Sequence, residues 1–217
     1  MKRKVMGYFL VALVAVWWVL NIVALANDED NRSSRAFFDE MEKKLNTFKP
    51  NSKYRDDRFA LVVLQEAIIA VKEGNYGVGA CLVREPDGKV IQKGHNRVFR
   101  PYFRSDLHAE MDAINRYEDS MRGKKSNIEK LVLYTSLEPG PMGLTRMITS
   151  GIRKCFYLAP DPQAGMVHSM ENLPSLWQEI AKGREYRQAE CSPELINYAN
   201  EIFLYSREFL DKKLKER

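Results

Sequence analysis

Cysteine and histidine are both scarce in this chain, with three of each among 217 residues. No two cysteines stand close together, which excludes a zinc ribbon and the dense disulfide framework of small secreted domains. Cys81 and Cys155 lie in apolar runs typical of strands, where a cysteine usually serves as a small buried hydrophobe. Cys191 lies in a polar segment and has two interpretations, as a reactive thiol or as one bonded to another chain.

The chain also has little excess positive charge outside its first four residues. The formal net charge is +5, but Lys2, Arg3 and Lys4 supply three of these charges and no acidic residue precedes Asp28. The remainder of the chain therefore carries +2. So small an excess gives no strong nucleic-acid signal. The sequence also lacks internal repeats, which excludes a solenoid or another repeat architecture.

No charged residue occurs from Met6 to Ala26. At about 1.5 Å per residue, a helix over this run would be roughly 31 Å long, enough to cross the hydrocarbon core of a bilayer. Ala24-Leu25-Ala26 is a small-x-small cleavage pattern, so a signal peptide competes with a retained anchor. A buried core helix is less favoured, because the run is apolar all round.

Residues 1–26 are therefore predicted to be a signal peptide or a membrane anchor. Because the basic end of such a segment stays in the cytoplasm, the rest of the chain is expected to be exported. The predicted location is periplasmic or extracellular, or membrane-anchored with the domain outside the cytoplasm if the segment is not cleaved.

Helices and strands alternate after a polar spacer over residues 27–55 that contains one short amphipathic helix. Helices are predicted over 58–73, 107–117 and 141–150, and strands over 78–83, 90–94, 131–136 and 153–159. Asp56-Asp57 is a plausible N-cap pair for the first of these helices. The alternation predicts an α/β fold, a three-layer α/β/α sandwich. The main domain is placed at 56–165, and residues 166–217 are predicted to form helices that pack on it.

The sequence carries His108-Ala109-Glu110 near the start of the second helix of this domain. An H-x-E triplet alone is weak, because it arises by chance in many chains. Zinc-dependent deaminases combine it with a later P-C-x-x-C, in which the histidine and two thiolates hold zinc while the glutamate transfers protons. The later element here reads Leu137-Glu138-Pro139-Gly140-Pro141-Met142-Gly143.

The chain is thus similar to the cytidine/deoxycytidylate deaminase superfamily, nearest to its guanine and tRNA-adenosine deaminase branch. The similarity covers about residues 56–165, and a weaker likeness continues through 191–195. The motifs occur in the family's order: Gly79-Ala80, Gly94-His95-Asn96, Asp106-Leu107-His108-Ala109-Glu110, Leu137-Glu138-Pro139 and Ala159-Pro160-Asp161. The resemblance implies a mixed sheet of about five strands, zinc between the N-terminal ends of two helices, and a homodimer.

The same resemblance assigns roles to single residues. Glu110 would be the proton shuttle, Asn96 and Ala80 would contact the substrate, and His108 would bind zinc. The alternatives are that Asn96 only closes a turn and that Glu110 caps its helix. A loop rich in arginine and aromatic residues follows Asn96. It could hold a phosphate or stack a base, or it could form a solvated rim. Its residues include Arg97, Phe99, Arg100, Tyr102, Phe103 and Arg104.

The sequence differs from the family pattern at the positions of the zinc ligands. Gly140 and Gly143 stand where the two thiolate ligands belong, and glycine has no donor side chain. Catalytic zinc uses three protein ligands, so His108 is a remnant ligand and no cofactor is predicted. Replacement ligands would have to come from residues distant in the sequence: Cys81, Cys155 or His168.

The function expected from the sequence is that of a deaminase-superfamily protein with a dismantled zinc site. It would be catalytically impaired, and would act as a nucleobase- or nucleotide-binding protein or as a scaffold. The alternative is an active hydrolytic deaminase of a nucleobase or nucleoside that uses an unrecognised metal site. The expected ligands are a nucleobase, a nucleoside or a small anion at the emptied helix N-termini. A tRNA-editing enzyme is disfavoured by the export signal and by the low charge of the exported part.

Overall fold

The structure is a computed structural model that describes residues 33–217. The predicted signal peptide or membrane anchor over residues 1–26 lies outside the described residues. Among the described residues, no helix is both long and apolar enough to span a bilayer. The chain divides into two compact units, of which the first ends at Asn46 and the second covers Thr47–Arg217.

A first helix, α1, extends over residues 33–47. It lies inside the segment 27–55, for which the sequence predicts a spacer with one short amphipathic helix. Met41 and Leu45, which are 1% and 3% exposed, lie one turn apart on the same side of α1. The predicted helix is therefore present, and it has a buried side.

Among the described residues, one mixed sheet of five strands forms the centre of the second unit. The strands are β1 (Gly79–Arg84), β2 (Lys89–His95), β3 (Leu131–Leu137), β4 (Lys154–Ala159) and β5 (Glu185–Gln188). Their order across the sheet is β2-β1-β3-β4-β5. Strand β1 is antiparallel to β2 and β3, whereas β3, β4 and β5 are mutually parallel. Every residue of the central strand β3 is buried, as expected for a strand covered on both faces.

Helices cover both faces of this sheet, and the predicted three-layer α/β/α sandwich is confirmed. The helices of the second unit are α2 (Asp57–Lys72), α3 (Ala109–Ser120), α4 (Pro141–Ser150), α5 (Ser175–Ala181) and α6 (Pro193–Lys215). Helix α2 packs against α6, while α3 packs against α4, and α4 also contacts α5. Helices α4 and α5 connect successive parallel strands, and the right-handed rule for such crossovers places both on one face.

The C-terminal third of the chain was predicted to be helical apart from loops, and this prediction is wrong at Glu185–Gln188. These residues form β5, which pairs in parallel with β4 and aligns Tyr186 with Cys155. The strand is only half-buried and polar at most positions. It lacks both an apolar run and a clean alternation, so its pairing with β4 rather than its own composition makes it a strand.

The predicted N-cap pair has a different role from capping. Asp56 is the N-cap residue of α2, but its side chain makes no capping bond within the described chain. Its carboxylate instead accepts hydrogen bonds from the Tyr134 hydroxyl at 2.8 Å and from the Glu190 N–H at 2.7 Å. The Asp57 carboxylate accepts bonds from the backbone N–H and the hydroxyl of Ser192, both at 2.7 Å. The pair therefore ties α2 to β3 and to the segment that leads into α6.

The three cysteines, all of which lie among the described residues, are free and buried. The prediction that Cys81 and Cys155 serve as buried hydrophobes is confirmed. Cys191 is also buried, at 5% exposure, and burial raises the pKa of its thiol to about 12. Because the thiolate is the nucleophile, Cys191 fits neither of the two interpretations based on its polar sequence context.

Candidate functional site

A cavity of about 250 Å³ lies where helices α3 and α4 begin, and α6 forms its opposite wall. It brings together four residues that the sequence analysis singled out, namely Asn96, His108, Glu110 and Gly140. The predicted substrate contact Ala80 is fully buried in β1 and lies outside the wall that the described residues form. Val78, two positions earlier, lines the cavity in its place.

The backbone explains why the two helix N-termini meet at the cavity. Strand β3 ends at Leu137, and after a short turn α4 begins with Gly140 as its N-cap and Pro141 at its first position, where proline is favoured. Helix α3 begins with His108 as its N-cap, in an extended conformation, and the His108 carbonyl accepts the Asp112 N–H at 2.9 Å. Both N-cap residues line the cavity.

Glu110 places a buried carboxylate between these two helix starts. The residue is 4% exposed, and its Oε1 accepts a hydrogen bond from the Thr135 hydroxyl of β3 at 3.1 Å. Its Oε2 lies 3.4 Å from the point that a Cβ on Gly143 would occupy. The thiol of Cys155 has its pKa raised first by burial and then by the negative charge of Glu110. A buried carboxylate held at a cavity wall is a suitable proton acceptor for a bound ligand.

The loop after β4 closes the cavity beside Gly140. Glu138 accepts hydrogen bonds from the backbone N–H groups of Asp161 at 3.1 Å and His168 at 2.8 Å, and so holds this loop in place. The Ala164 carbonyl oxygen would be 3.0 Å from a Cβ on Gly140. Glu138 and Asp161 belong to the sequence motifs, which assign them no role, and both lie in the cavity wall.

Helix α6 supplies the wall that sequence reasoning missed. Phe203, Arg207, Asp211 and Leu214 line the cavity and follow one another at helical spacing. The hydroxyl of Tyr76 donates a hydrogen bond to Asp211 at 2.8 Å. The helical spacing was visible in the sequence, but the sequence does not show which surface that side of the helix covers.

The charged side chains of the cavity wall indicate which charge a ligand can carry. Among the described residues, its wall carries one guanidinium, that of Arg207, and four carboxylates, those of Glu110, Glu138, Asp161 and Asp211. A carboxylate repels an anion bound beside it. This balance therefore disfavours the small anion that the emptied helix N-termini suggested.

Residues 53–159 match the profile of the cytidine and deoxycytidylate deaminase zinc-binding region. The chain is 34% identical over 142 residues to the tRNA-specific adenosine deaminase of Aquifex aeolicus, which covers 64% of this chain and 89% of that protein. The chain belongs to the cytidine and deoxycytidylate deaminase family. The superfamily resemblance read from the sequence motifs is thereby confirmed.

Two further comparisons agree with this family. The probable cytosine deaminase of Schizosaccharomyces pombe is 33% identical over 141 residues, which is 63% of this chain and 72% of that protein. A solved structure from a study of A-to-I editing by tRNA:A34 deaminases matches with a TM-score of 0.51 at 27% identity. That match covers 60% of this chain and 95% of the solved chain.

The family's zinc does not fit the side chains that this member offers. His108 supplies an imidazole, but Gly140 and Gly143 supply no side chain at all. Within the part of the chain that the structure describes, no group of three or more His, Cys, Asp or Glu could hold a metal ion. A catalytic zinc ion requires three protein ligands. The donor set at the family's metal position is therefore incomplete.

The three residues considered as replacement ligands lie outside the cavity wall formed by the described residues. Burial raises the pKa of Cys81 to about 12 and that of Cys155 well above its ordinary value, so neither is poised as a thiolate donor. His168 is half-exposed, and its Nδ1 lies 2.8 Å from Oε1 of Glu138. That contact holds the loop after β4.

The arginine-rich loop acts mainly in packing. Phe99 and Val98 are buried against Leu210 of α6 in a small second core. Arg104 forms a two-point hydrogen bond with Asp106, at 2.8 and 2.7 Å. Neither Arg104 nor Asp106 belongs to the cavity wall that the described residues form. Phe99 and Phe103 thus pack in the core that Leu210 of α6 completes, whereas Tyr102 is exposed. The sequence had suggested a base-stacking surface or a solvated rim.

Proposed function

We propose that this chain is a catalytically impaired member of the deaminase family that binds a nucleobase-type ligand in the cavity between α3, α4 and α6. The observation that carries the proposal is the donor set, in which Gly140 lines the cavity together with His108 and Glu110, and Gly143 lies against the Glu110 carboxylate. One of the three zinc ligands of the family remains. The proton-transferring carboxylate and the cavity are both retained.

The catalytic contribution that zinc would make is too large for Glu110 to replace, which supports a loss of hydrolytic activity. Zinc lowers the pKa of its bound water from about 15.7 to about 7, which corresponds to roughly 12 kcal/mol of preparation of the nucleophile. General base catalysis by a carboxylate such as Glu110 typically supplies about 10²- to 10⁴-fold, or roughly 3–5 kcal/mol. Glu110 alone therefore falls well short of replacing the metal.

The ligand class is supported by what the cavity offers. Asn96 is 3% exposed, and its side-chain oxygen accepts the Val98 N–H at 3.1 Å, which leaves its NH₂ group for a ligand. One relative is named as a tRNA-specific adenosine deaminase, which names a nucleoside, and another as a probable cytosine deaminase, which names a free nucleobase. A nucleobase-type ligand is consistent with both.

The second candidate is an active hydrolytic deaminase of a nucleobase or nucleoside that uses a metal site of another kind. One observation favours it, namely that Glu110, the expected proton shuttle, is buried at the cavity wall and accepts a hydrogen bond from Thr135. Relatives above 30% identity are named as deaminases, which also supports it.

Metal analysis separates the two candidates. Protein lacking residues 1–26 would be purified without added metal, dialysed, and analysed for zinc by mass spectrometry, alongside an ammonia-release assay with adenine, cytosine and guanine. The proposal expects far less than one zinc per chain and no release of ammonia above background. Near-stoichiometric zinc that is lost in His108→Ala but kept in the control His168→Ala would overturn it in favour of the active enzyme.

We further propose export through residues 1–26 and assembly as a homodimer. Export is proposed from the basic N-terminal residues and the apolar run that follows them. The homodimer is proposed because members of this family commonly form dimers. Cell fractionation of the full chain with protease protection tests the first, with a chain lacking residues 1–26 as control. Light scattering during size-exclusion chromatography tests the second.

A further inference from the structure

The arginine-rich loop and the end of helix α6 together form one surface of the second unit. The Arg217 guanidinium lies 3.5 Å from the centre of the Phe103 ring, and Nζ of Lys213 lies 5.0 Å from the centre of the Phe99 ring. Both are cation–π contacts, and they hold the two segments side by side. We call this the basic–aromatic surface, and its two segments are residues 97–106 and 207–217.

Positive charge is concentrated on the basic–aromatic surface. Residues 97–106 contain three arginines and one aspartate, and residues 207–217 contain five cations and three carboxylates, so each segment carries +2. The two segments together carry +4, whereas the whole of residues 27–217 carries +2. The rest of that span therefore carries −2, the opposite sign. A patch of one sign on one side of a molecule directs association with a partner of the other sign.

Several cations of this surface are available to a partner. Two of its arginines, Arg104 and Arg207, are paired with aspartates. Arg100, Lys213 and Arg217, by contrast, form no ion pair with a carboxylate within the part of the chain that the structure describes. Arg100 and Arg217 are exposed, and Lys213 is partly exposed. The surface can therefore contact anionic groups without breaking an ion pair of its own.

Large aromatic side chains are exposed beside these cations. Tyr102 is 64% exposed and Phe209 is 70% exposed. Phe209 precedes Lys213 by four positions, so the two side chains are neighbours on the surface of α6. Tyr102 directly precedes Phe103, on which Arg217 is stacked. Cations next to exposed aromatic rings are typical of protein segments that bind at the interface of a bilayer, where the rings lie at the level of the headgroups.

We propose that the basic–aromatic surface docks the protein on an anionic phospholipid bilayer. Its cations contact the lipid phosphates, while Tyr102 and Phe209 enter the headgroup region. A bilayer is flat and touches one side of the molecule, so the negative charge of the other sides does not oppose it. A nucleic acid long enough to wrap around the molecule would meet that negative charge. The predicted signal peptide or anchor over residues 1–26 also directs the chain to a membrane.

Co-sedimentation with lipid vesicles tests this proposal. The protein would lack residues 1–26, because an apolar segment binds lipid by itself, and the unit Thr47–Arg217 is compact without it. Wild type is expected to bind vesicles of phosphatidylcholine mixed with phosphatidylglycerol, and to bind pure phosphatidylcholine much more weakly. Salt at about 1 M, where the Debye length is about 3 Å, should release most of the bound protein.

The double variant Lys213→Gln/Arg217→Gln removes two cations of the surface, and neither residue lines the cavity. Its partition coefficient on the mixed vesicles should fall about tenfold or more, because each cation near an anionic membrane contributes about fivefold. The matched control is Lys124→Gln/Lys125→Gln, which removes the same charge from the exposed segment after α3. The control should retain most of the binding.

A second variant tests the apolar part of the contact and keeps the proposal testable if the double variant does not fold. Phe209→Ser leaves every charge in place and should lower the partition coefficient about tenfold, because an aromatic ring no longer enters the bilayer. The matched control is Leu176→Ser, which removes a 61%-exposed apolar side chain from α5 and should change nothing. Circular dichroism would show whether each variant is folded.

Three results would overturn the proposal: no binding of wild type to the mixed vesicles, equal binding to pure phosphatidylcholine, or equal losses in the variants and their matched controls. Binding of a single-stranded oligonucleotide without binding of vesicles would also overturn it, and would assign the surface to nucleic acid. The proposed function of the cavity does not depend on these results, because the variants leave its wall unchanged.

Discussion

The carboxylate of Glu110 faces the backbone of Gly143, and its Oε2 lies 3.4 Å from the point that a Cβ on Gly143 would occupy. The residue that the family resemblance predicts to transfer protons thus lies next to Gly143, where the sequence predicts a missing thiolate ligand. A side chain on Gly143 would make only ordinary van der Waals contacts, whereas one on Gly140 would lie 3.0 Å from the Ala164 carbonyl oxygen and require a small shift of that loop. A Cβ at either glycine would therefore require little change in the backbone that positions Glu110.

Restoring the two cysteines should restore zinc binding. Gly140 has φ −75°, which a cysteine adopts without strain, and Gly143 lies within α4. The double variant Gly140→Cys/Gly143→Cys, made in a reducing host without residues 1–26, is expected to bind about one zinc per chain by elemental analysis. The single variant Gly143→Cys is the control and should remain below that level, since it provides two donors. A folded double variant without zinc would mean that the helix starts are not in the family's geometry.

The hydrogen bond between Thr135 and Glu110 should stabilise the cavity wall. Thr135→Val keeps the shape of the side chain but leaves Oε1 of a 4%-exposed carboxylate without its donor, at a cost of about 1–3 kcal/mol in the free energy of unfolding. Urea denaturation of the single variants and of Thr135→Val combined with Glu110→Ala would measure the coupling, expected at roughly 0.5–3 kcal/mol. Additive losses would show that the bond contributes nothing.

The stability of the fold should depend on pH through His95. Its ring nitrogens lie 3.0 Å from a Glu66 oxygen and 3.2 Å from a Glu73 oxygen, and only the protonated ring can donate to both. Burial opposes the charge on the ring, but the contacts with Glu66 and Glu73 outweigh it, so the pKa of His95 is raised. The stabilisation is thus fully present below the unfolded-state pKa of about 6.5 and is lost as pH rises through the folded-state pKa.

The corresponding variant is His95→Gln, compared with wild type by urea unfolding near pH 6 and near pH 9. We expect the variant to lose more stability near pH 6, where wild-type His95 is charged, than near pH 9. Glu73→Gln removes one of the two partners and should reduce the pH dependence without abolishing it. An equal loss at both pH values would contradict the assignment of a charged His95.

Asp57 should be a major contributor to stability although it lies far from the cavity. It is 0% exposed and accepts the Asn51 N–H at 3.0 Å in addition to its two bonds from Ser192. Asp57→Ala leaves the two Ser192 donors unpaired in the interior, and we expect a loss of about 2–4 kcal/mol in the free energy of unfolding. The control Asp119→Ala removes an exposed carboxylate paired with Arg122 and should cost less than about 1 kcal/mol. Similar losses in both variants would refute the role of Asp57.

Local sequence signals predicted most helices and strands well. Helix α4 was predicted over 141–150 and is found at Pro141–Ser150, because proline favours its first position and Gly151, with φ 93°, ends it. Strand β3 was recognised from an apolar run that matches its buried place in the sheet. Strand β5 was missed, because its four residues carry no strand pattern and depend on β4 for pairing.

The sequence by itself determined the family, because membership follows from which residues stand at the motif positions, among them His108 and Glu110. It also predicted the departure at the metal from Gly140 and Gly143. It also determined that Asn96 belongs to the same motif set. Only the tertiary structure decided that α6 closes the cavity and that Val78 rather than Ala80 lines it. Tyr76 and Asp211 meet across 135 positions of chain. Such a contact arises from the packing of helices on the sheet, and no local pattern of residues encodes it.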